Sequence, residues 1–139
     1  QIQPEPVPPM PEIAQQVTGI LYALDDNPSG FLSITLSFPA NDEALLKVTT
    51  LGSSTFNADP QFEWLMGLDS VDRIAPGRFG MPTAAKGLWE SDNIFVAHID
   101  EIANRQKFRL SLAFEDDQVI IEQWVGGTLA GTLTGSVAE

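Results

Sequence analysis

The sequence predicts an all-β protein, an antiparallel meander of short strands that curls on itself as a sandwich or barrel. Three observations carry this. Residues 107–114 alternate strictly, with Phe108, Leu110, Leu112 and Phe114 on one face and Lys107, Arg109, Ser111 and Ala113 on the other. That is the period-two signature of a strand with one buried face. Turn signals recur at nearly regular spacing between about nine or ten such runs. No long stretch has helical period.

The elements follow in order. Residues 1–12 hold five of the ten prolines, which favour extended polyproline II over helix or central strand. They are expected to be an interdomain linker, with the β domain spanning 13–139. Residues 17–24 are strand-like. Asp25-Asp26-Asn27-Pro28-Ser29-Gly30 is a turn. It imitates the start of a calcium loop, but the twelfth position, where that loop needs a bidentate carboxylate, is Leu36. Residues 31–38 alternate with Leu32, Ile34, Leu36 and Phe38 inward. Asn41-Asp42-Glu43 turns the chain, 44–51 return, and 52–60 form a polar loop.

Residues 62–68 are apolar around Trp64, and 69–82 are expected to be the longest irregular region. Trp89 lies in 86–90, and Ser91-Asp92-Asn93 is a turn. Residues 94–102 set Phe95, Ala97 and Ile99 against His98 and Asp100. The hairpin over 106–124 turns at Glu115-Asp116-Asp117, whose short polar side chains suit a turn. Gly126-Gly127 turns the last pair. The final strand has Leu129, Gly131, Leu133, Gly135 and Val137 inward, and its buried-face glycines predict the close approach of another backbone.

Composition narrows the function. With 139 residues, one domain is expected. The net charge of −12 repels phosphate backbones and anionic headgroups, so nucleic acid and anionic membrane are poor partners. No apolar run is long enough to span a membrane. With no cysteine there is no disulfide, thiolate metal site or cysteine nucleophile. The chain starts at Gln1 without a recognisable signal peptide, which suggests an excised domain or a processed chain.

Chemistry-bearing residues are sparse. His98 is the only histidine and sits on a polar face; no His-containing metal spacing accompanies it. The acidic clusters at 25–26, 42–43 and 115–117 fall in turns, and no phosphate loop or G-x-S-x-G elbow occurs. No cofactor and no metal is expected. Trp64, Trp89 and Trp124 are the candidates to line a ligand pocket, with core packing as the competing reading. Arg109 is expected to face solvent.

Gly67-Leu68-Asp69, Gly77-Arg78-Phe79-Gly80-Met81-Pro82, Lys86-Gly87-Leu88-Trp89, Asp92, Phe95 and the run 108–117 occur in an order that resembles the C-terminal domain of serine β-lactamase-like hydrolases, the penicillin-binding-protein-like and esterase group. Tyr22, Asn27-Pro28 and the strand 32–38 fit the same pattern, so the resemblance covers nearly everything after the linker. It implies a closed or nearly closed lipocalin-like barrel of about 8–10 strands, tethered behind a catalytic domain of the same polypeptide. It also implies an extracytoplasmic location. In that family the nucleophile sits in S-x-x-K on the other domain. Here no serine has a lysine three residues later, Thr83-Ala84-Ala85-Lys86 has the wrong nucleophile, and no Y-x-N occurs.

The leading expectation is therefore a non-catalytic accessory barrel that packs against a hydrolase. Its cleft-bordering loop would be 69–82, with Arg73, Arg78, Phe79 and Met81 as contact residues. The alternative is a lipocalin-like carrier of a small apolar ligand. A stand-alone enzyme is the third reading.

Overall fold

A computed structural model describes residues 3–28, 30–50, 61–77 and 81–138. After a short helix α1 (Ile13–Val17) come ten strands: β1 (Ile20–Leu24), β2 (Phe31–Ala40), β3 (Glu43–Thr50), β4 (Gln61–Gly67), β5 (Arg73–Pro76), β6 (Pro82–Trp89), β7 (Ile94–Glu101), β8 (Gln106–Glu115), β9 (Gln118–Val125) and β10 (Thr128–Val137). They form one sheet in the order β4-β3-β2-β1-β10-β9-β8-β7-β6-β5. All neighbours in that order are antiparallel. β4 also meets β6 in parallel at Gly67–Lys86, which closes nine strands into a barrel and leaves β5 as a flap on β6.

The alternating sequence explains the closure. Each inward row crosses several strands: Trp89, Phe95, Leu112, Ile121 and Leu133 stand directly opposite one another on β6 to β10. Residues opposite each other share a face, and these rows merge into a single apolar core that includes Tyr22, Leu36, Leu46, Val48, Met66, Ile99 and Phe114. The turns are built as the sequence asks. Gly126 and Gly127 both take positive φ, 58° and 88°, as a two-residue turn twisted to match its strands requires. Asp116 also enters the left-handed region, at 54°, where a short polar side chain is tolerated.

Five expectations are corrected. Leu129 is not inward: the β10–β9 register shifts between Leu129 and Gly131, which sets Leu129 opposite Trp124 on the outer face, 45% exposed. Residues 17–24 are not one strand: Val17 ends α1, which packs Ala14 and Val17 onto the barrel, and the strand starts at Ile20. Leu32 is not inward. The β2–β3 register shifts between Phe31 and Ser33, so Phe31 turns in and Leu32 lies 45% exposed; a bulge reverses the alternation locally. The region 69–82 is not wholly irregular, since β5 lies within it. Residues 86–90 are only the last part of β6, a strand that starts at Pro82. The expected polar loop 52–60, together with Leu51, lies outside the described residues.

The two inward glycines of β10 differ. A Cβ on Gly135 would lie 2.6 Å from the Ala23 carbonyl and 2.7 Å from a Leu24 methyl, whereas one on Gly131 would find only Gln123 Oε1, at 3.9 Å. The expected close backbone approach therefore holds at Gly135 and not at Gly131. Gly135→Ala should lower stability by about 1–3 kcal/mol through overpacking. Gly131→Ala should stay within about 0.5 kcal/mol of the parent. Urea unfolding of the two variants checks this contrast.

Candidate functional site

The barrel has two unlike ends. At one, α1 and the proline-rich segment lie across the opening. Glu5 donates its N–H to the Asp69 carbonyl at 2.8 Å and accepts from the Ser70 hydroxyl at 2.8 Å. Val7, Pro8, Pro9 and Met10 face Leu68, Leu88 and Trp89 around a void of about 20 Å³. Beneath this cover sits an aromatic group: the Trp89 ring is 5.2 Å from Phe95, 6.1 Å from Phe114 and 6.2 Å from Phe38. Tyr22 is 5.6 Å from Phe114, and burial, with Asp117 nearby, raises its phenol above the ordinary value.

At the other end β1, β3, β5, β7 and β9 finish and β2, β4, β6, β8 and β10 begin. The inward aromatics here are Phe31, Phe62 and Trp64, with Phe62 4.9 Å from Trp64 and 6.1 Å from Phe31. Polar side chains are buried at the same end: Thr50 closes β3, Thr83 opens β6 and Glu101 closes β7. The Trp64 indole edge lies against Gly77, where a Cβ would come within 2.9–3.0 Å of it. Thr83 donates to the Met81 carbonyl at 3.1 Å.

The indole N–H groups of Trp64 and Trp89 are both buried without a hydrogen-bond partner among the described residues. A buried donor left unpaired costs about 1–3 kcal/mol, so each such group calls for an explanation. The only buried charged residues described are acids, Asp69 and Glu101.

The three tryptophans do not meet. Trp64 and Trp89 project inward towards opposite ends, while Trp124 lies on the outer face, with the Arg109 guanidinium 4.6 Å from its ring centre. Parity accounts for this: Val119 and Ile121 point in, so Trp124, at odd spacing from them, points out. Arg109 is exposed, as expected. The turn after β1 is held by its own side chains. Asn27 donates to the Asp25 and Phe31 carbonyls at 2.9 and 2.8 Å, and Asp25 accepts from Thr134 at 2.7 Å.

Arg78 and Phe79 lie outside the described residues. Met81 follows them at the entrance to β6, where its carbonyl accepts from Gly77 at 2.9 Å. Arg73 is engaged within the chain. It grips the Asp69 carboxylate with two bonds of 3.0 Å, Glu43 at 2.8 Å and the Val71 carbonyl at 2.9 Å, and lies 3.4 Å from Asp42. This fork ties β5 to the β2–β3 turn. The sequence showed Arg73 and three scattered acids but gave no sign that they converge.

No family model and no curated protein sequence matches the chain. Solved structures share its fold. A Schistosoma mansoni fatty acid binding protein in complex with arachidonic acid has a TM-score of 0.62 at 8% identity, covering 91% of this chain and 98% of that one. Secretory abundant heat soluble protein 4 of Ramazzottius varieornatus gives 0.56 at 9% identity, with 77% and 69% covered. A luciferase domain from the dinoflagellate Lingulodinium polyedrum gives 0.57 at 12% identity, with 97% and 45% covered. At such identities the likeness is one of fold, a lipocalin and fatty-acid-binding-protein type of barrel. Nothing in these comparisons points to a β-lactamase-like parent.

The Arg73 fork makes stability depend on pH. Its hydrogen bonds to Asp69 hold that carboxyl below its ordinary value against the opposing effect of burial. The unfolded chain therefore takes up this proton more readily than the folded one. The Asp69 contribution is complete above the unfolded carboxyl value of about 4 and is lost as pH falls through the depressed folded value. Urea midpoints measured between pH 6 and pH 2.5 should fall more steeply in the parent than in Asp69→Asn.

Proposed function

We propose that this chain is a ligand-binding barrel whose interior takes a small, neutral, apolar molecule carrying a hydrogen-bond acceptor. The observation that carries this reading is the pair of buried indole N–H groups with no partner among the described residues, inside a closed apolar barrel, above all that of Trp64. An occupant with a carbonyl, ester or ether oxygen would satisfy the donor and bring its apolar body against Phe31, Phe62 and Leu46. Side chains in a barrel of this size either fill the interior or make room for one small ligand.

The charge of the ligand follows from the lining. The described inward residues are apolar or neutral except for Glu101, an acid at the end where Trp64 and Thr83 also lie. A carboxylate taken into that interior would lose its hydration and find no cation among the described inward residues to replace it. The expected ligand is thus neutral, unlike the arachidonic acid of the Schistosoma structure. Entry is expected at the Trp64 end, because α1 and residues 5–10 cover the other.

The accessory role behind a hydrolase has less support, since its motivating resemblance rests on Gly, Trp and alternating apolar positions that any closed meander shares. The proline-rich segment is compatible with a tether, but its Glu5 and Val7 contacts hold it to the barrel.

Titration with the neutral dye Nile red should give saturable fluorescence enhancement, and a fluorescent fatty acid should bind more weakly at neutral pH. Trp64→Phe keeps the ring and removes the donor. It should weaken binding of a carbonyl-bearing probe roughly three- to tenfold, the worth of one neutral hydrogen bond. No saturable binding of either probe would remove the reading. Preference for the carboxylate would overturn the assigned ligand class.

A further inference from the structure

The outer wall of the barrel carries a second arrangement that the interior reading does not use. Lys86, His98, Arg109, Trp124 and Leu129 stand directly opposite one another on β6, β7, β8, β9 and β10. Opposite residues share a face of the sheet, so three bases and an apolar edge form one row. Lys107 lies two residues from Arg109 on the same face of β8. The chain has only seven lysines and arginines against nineteen acids. Even so, three of the seven, with the sole histidine, gather here, and the ion pairs found among the described residues all belong to Arg73.

The surface is recessed at this point. A groove of about 430 Å³ is bordered by His98, Lys107, Arg109, Trp124 and the Gly126-Gly127 turn. It adjoins one of about 210 Å³ bordered by Lys86, His98, Asp100 and Lys107. Leu129, 45% exposed, extends the Trp124 edge.

From this geometry we infer that the outer face of β6–β10 binds an oxyanion, the phosphate or carboxylate of a small aromatic compound, between Lys86, His98 and Arg109, with its ring against Trp124 and Leu129. Like charges held side by side cost energy, and a bound anion relieves that cost. Arg109 offers a planar fork suited to an oxyanion, and the Trp124 ring beneath it fixes the position of that fork. The acids around the row restrict what fits. Asp100 stands opposite Lys107, Glu122 lies two residues from Trp124, and Asp72 borders the Lys86 side. A compact anion meets the bases between these acids, whereas an extended polyanion would run against them.

His98 reports on the site. Burial, Lys86 and Arg109 hold its imidazole below the ordinary value, in that order, while Asp72 and Glu90 oppose them. As the only histidine, it gives one Hε1 resonance, free of overlap from other histidines, in proton NMR. Phenyl phosphate added at constant ionic strength should raise the His98 midpoint by roughly half a unit or more and saturate. Phenol should leave it unchanged, and inorganic phosphate should act only at higher concentration, lacking the ring contact. Arg109→Gln and Lys86→Gln, both at surface positions, should each weaken the effect at least about fivefold in midpoint concentration. A shift that phenyl phosphate shares with chloride at equal ionic strength, or that survives both substitutions, would overturn the assignment. So would association with phosphatidylglycerol vesicles in the absence of any response to phenyl phosphate.

Discussion

The structure depends on how β4 meets β6. Every other junction in the barrel is an antiparallel ladder of several residue pairs, but this closure is a single parallel pairing, Gly67 with Lys86. A closed sheet has no exposed edge, so this one contact decides whether the inward rows face each other or water. Its surroundings are fitted accordingly. Gly67 admits the Val71 carbonyl and the Arg73 guanidinium into the space a side chain would take. Arg73 then ties the following turn to Asp69, Glu43 and Asp42. At a part-buried, bidentate position of this kind lysine is no substitute for arginine. On the other side of the seam, the Phe95 ring covers Gly87, whose hydrogen leaves room for it.

Closure divides the molecule into two chemical worlds. The inside is aromatic and aliphatic, with its few polar groups at the end opposite α1. The outside carries most of the described acids, and three of the bases gather with His98 along the row from Lys86 to Leu129. Alternation makes this division possible. Arg109 and Leu110 are adjacent in sequence, yet one lies beside Trp124 in solvent and the other in the core. The interior thus suits a neutral apolar guest and the outer row an anion, and no residue serves both.

Much of this could be read from the sequence, for identifiable reasons. The hairpin Gln106–Val125 was clear because its alternation is strict and its turn residues tolerate positive φ. Inward positions at Ile34, Leu36, Phe95, Ile99, Leu110, Leu112 and Phe114 follow from period two alone. The features that are not legible lack a periodic signal. A five-residue helix is barely more than one turn. The bulge at Phe31–Ser33 breaks the phase that placed Leu32 inside, and β5 is hidden among glycines and prolines. Trp124 shares only its residue type with Trp64 and Trp89; counting from Ile121 sets it outside. The outer row needs the register of five strands, which no single segment contains. The hydrolase resemblance drew on features common to curled meanders, so it carried the barrel correctly and the parent without support.

The central claim is that the barrel interior, entered from the Trp64 end, is a binding site. Methyl-resolved NMR of the protein titrated with a neutral apolar ketone tests it most directly. The account predicts that inward methyls near that end, those of Leu46, Val48 and Ile99, shift together and saturate, while the outward methyls of Leu21, Leu32 and Ile120 stay fixed. Shifts confined to the outward methyls, or none at saturating ketone, would contradict it.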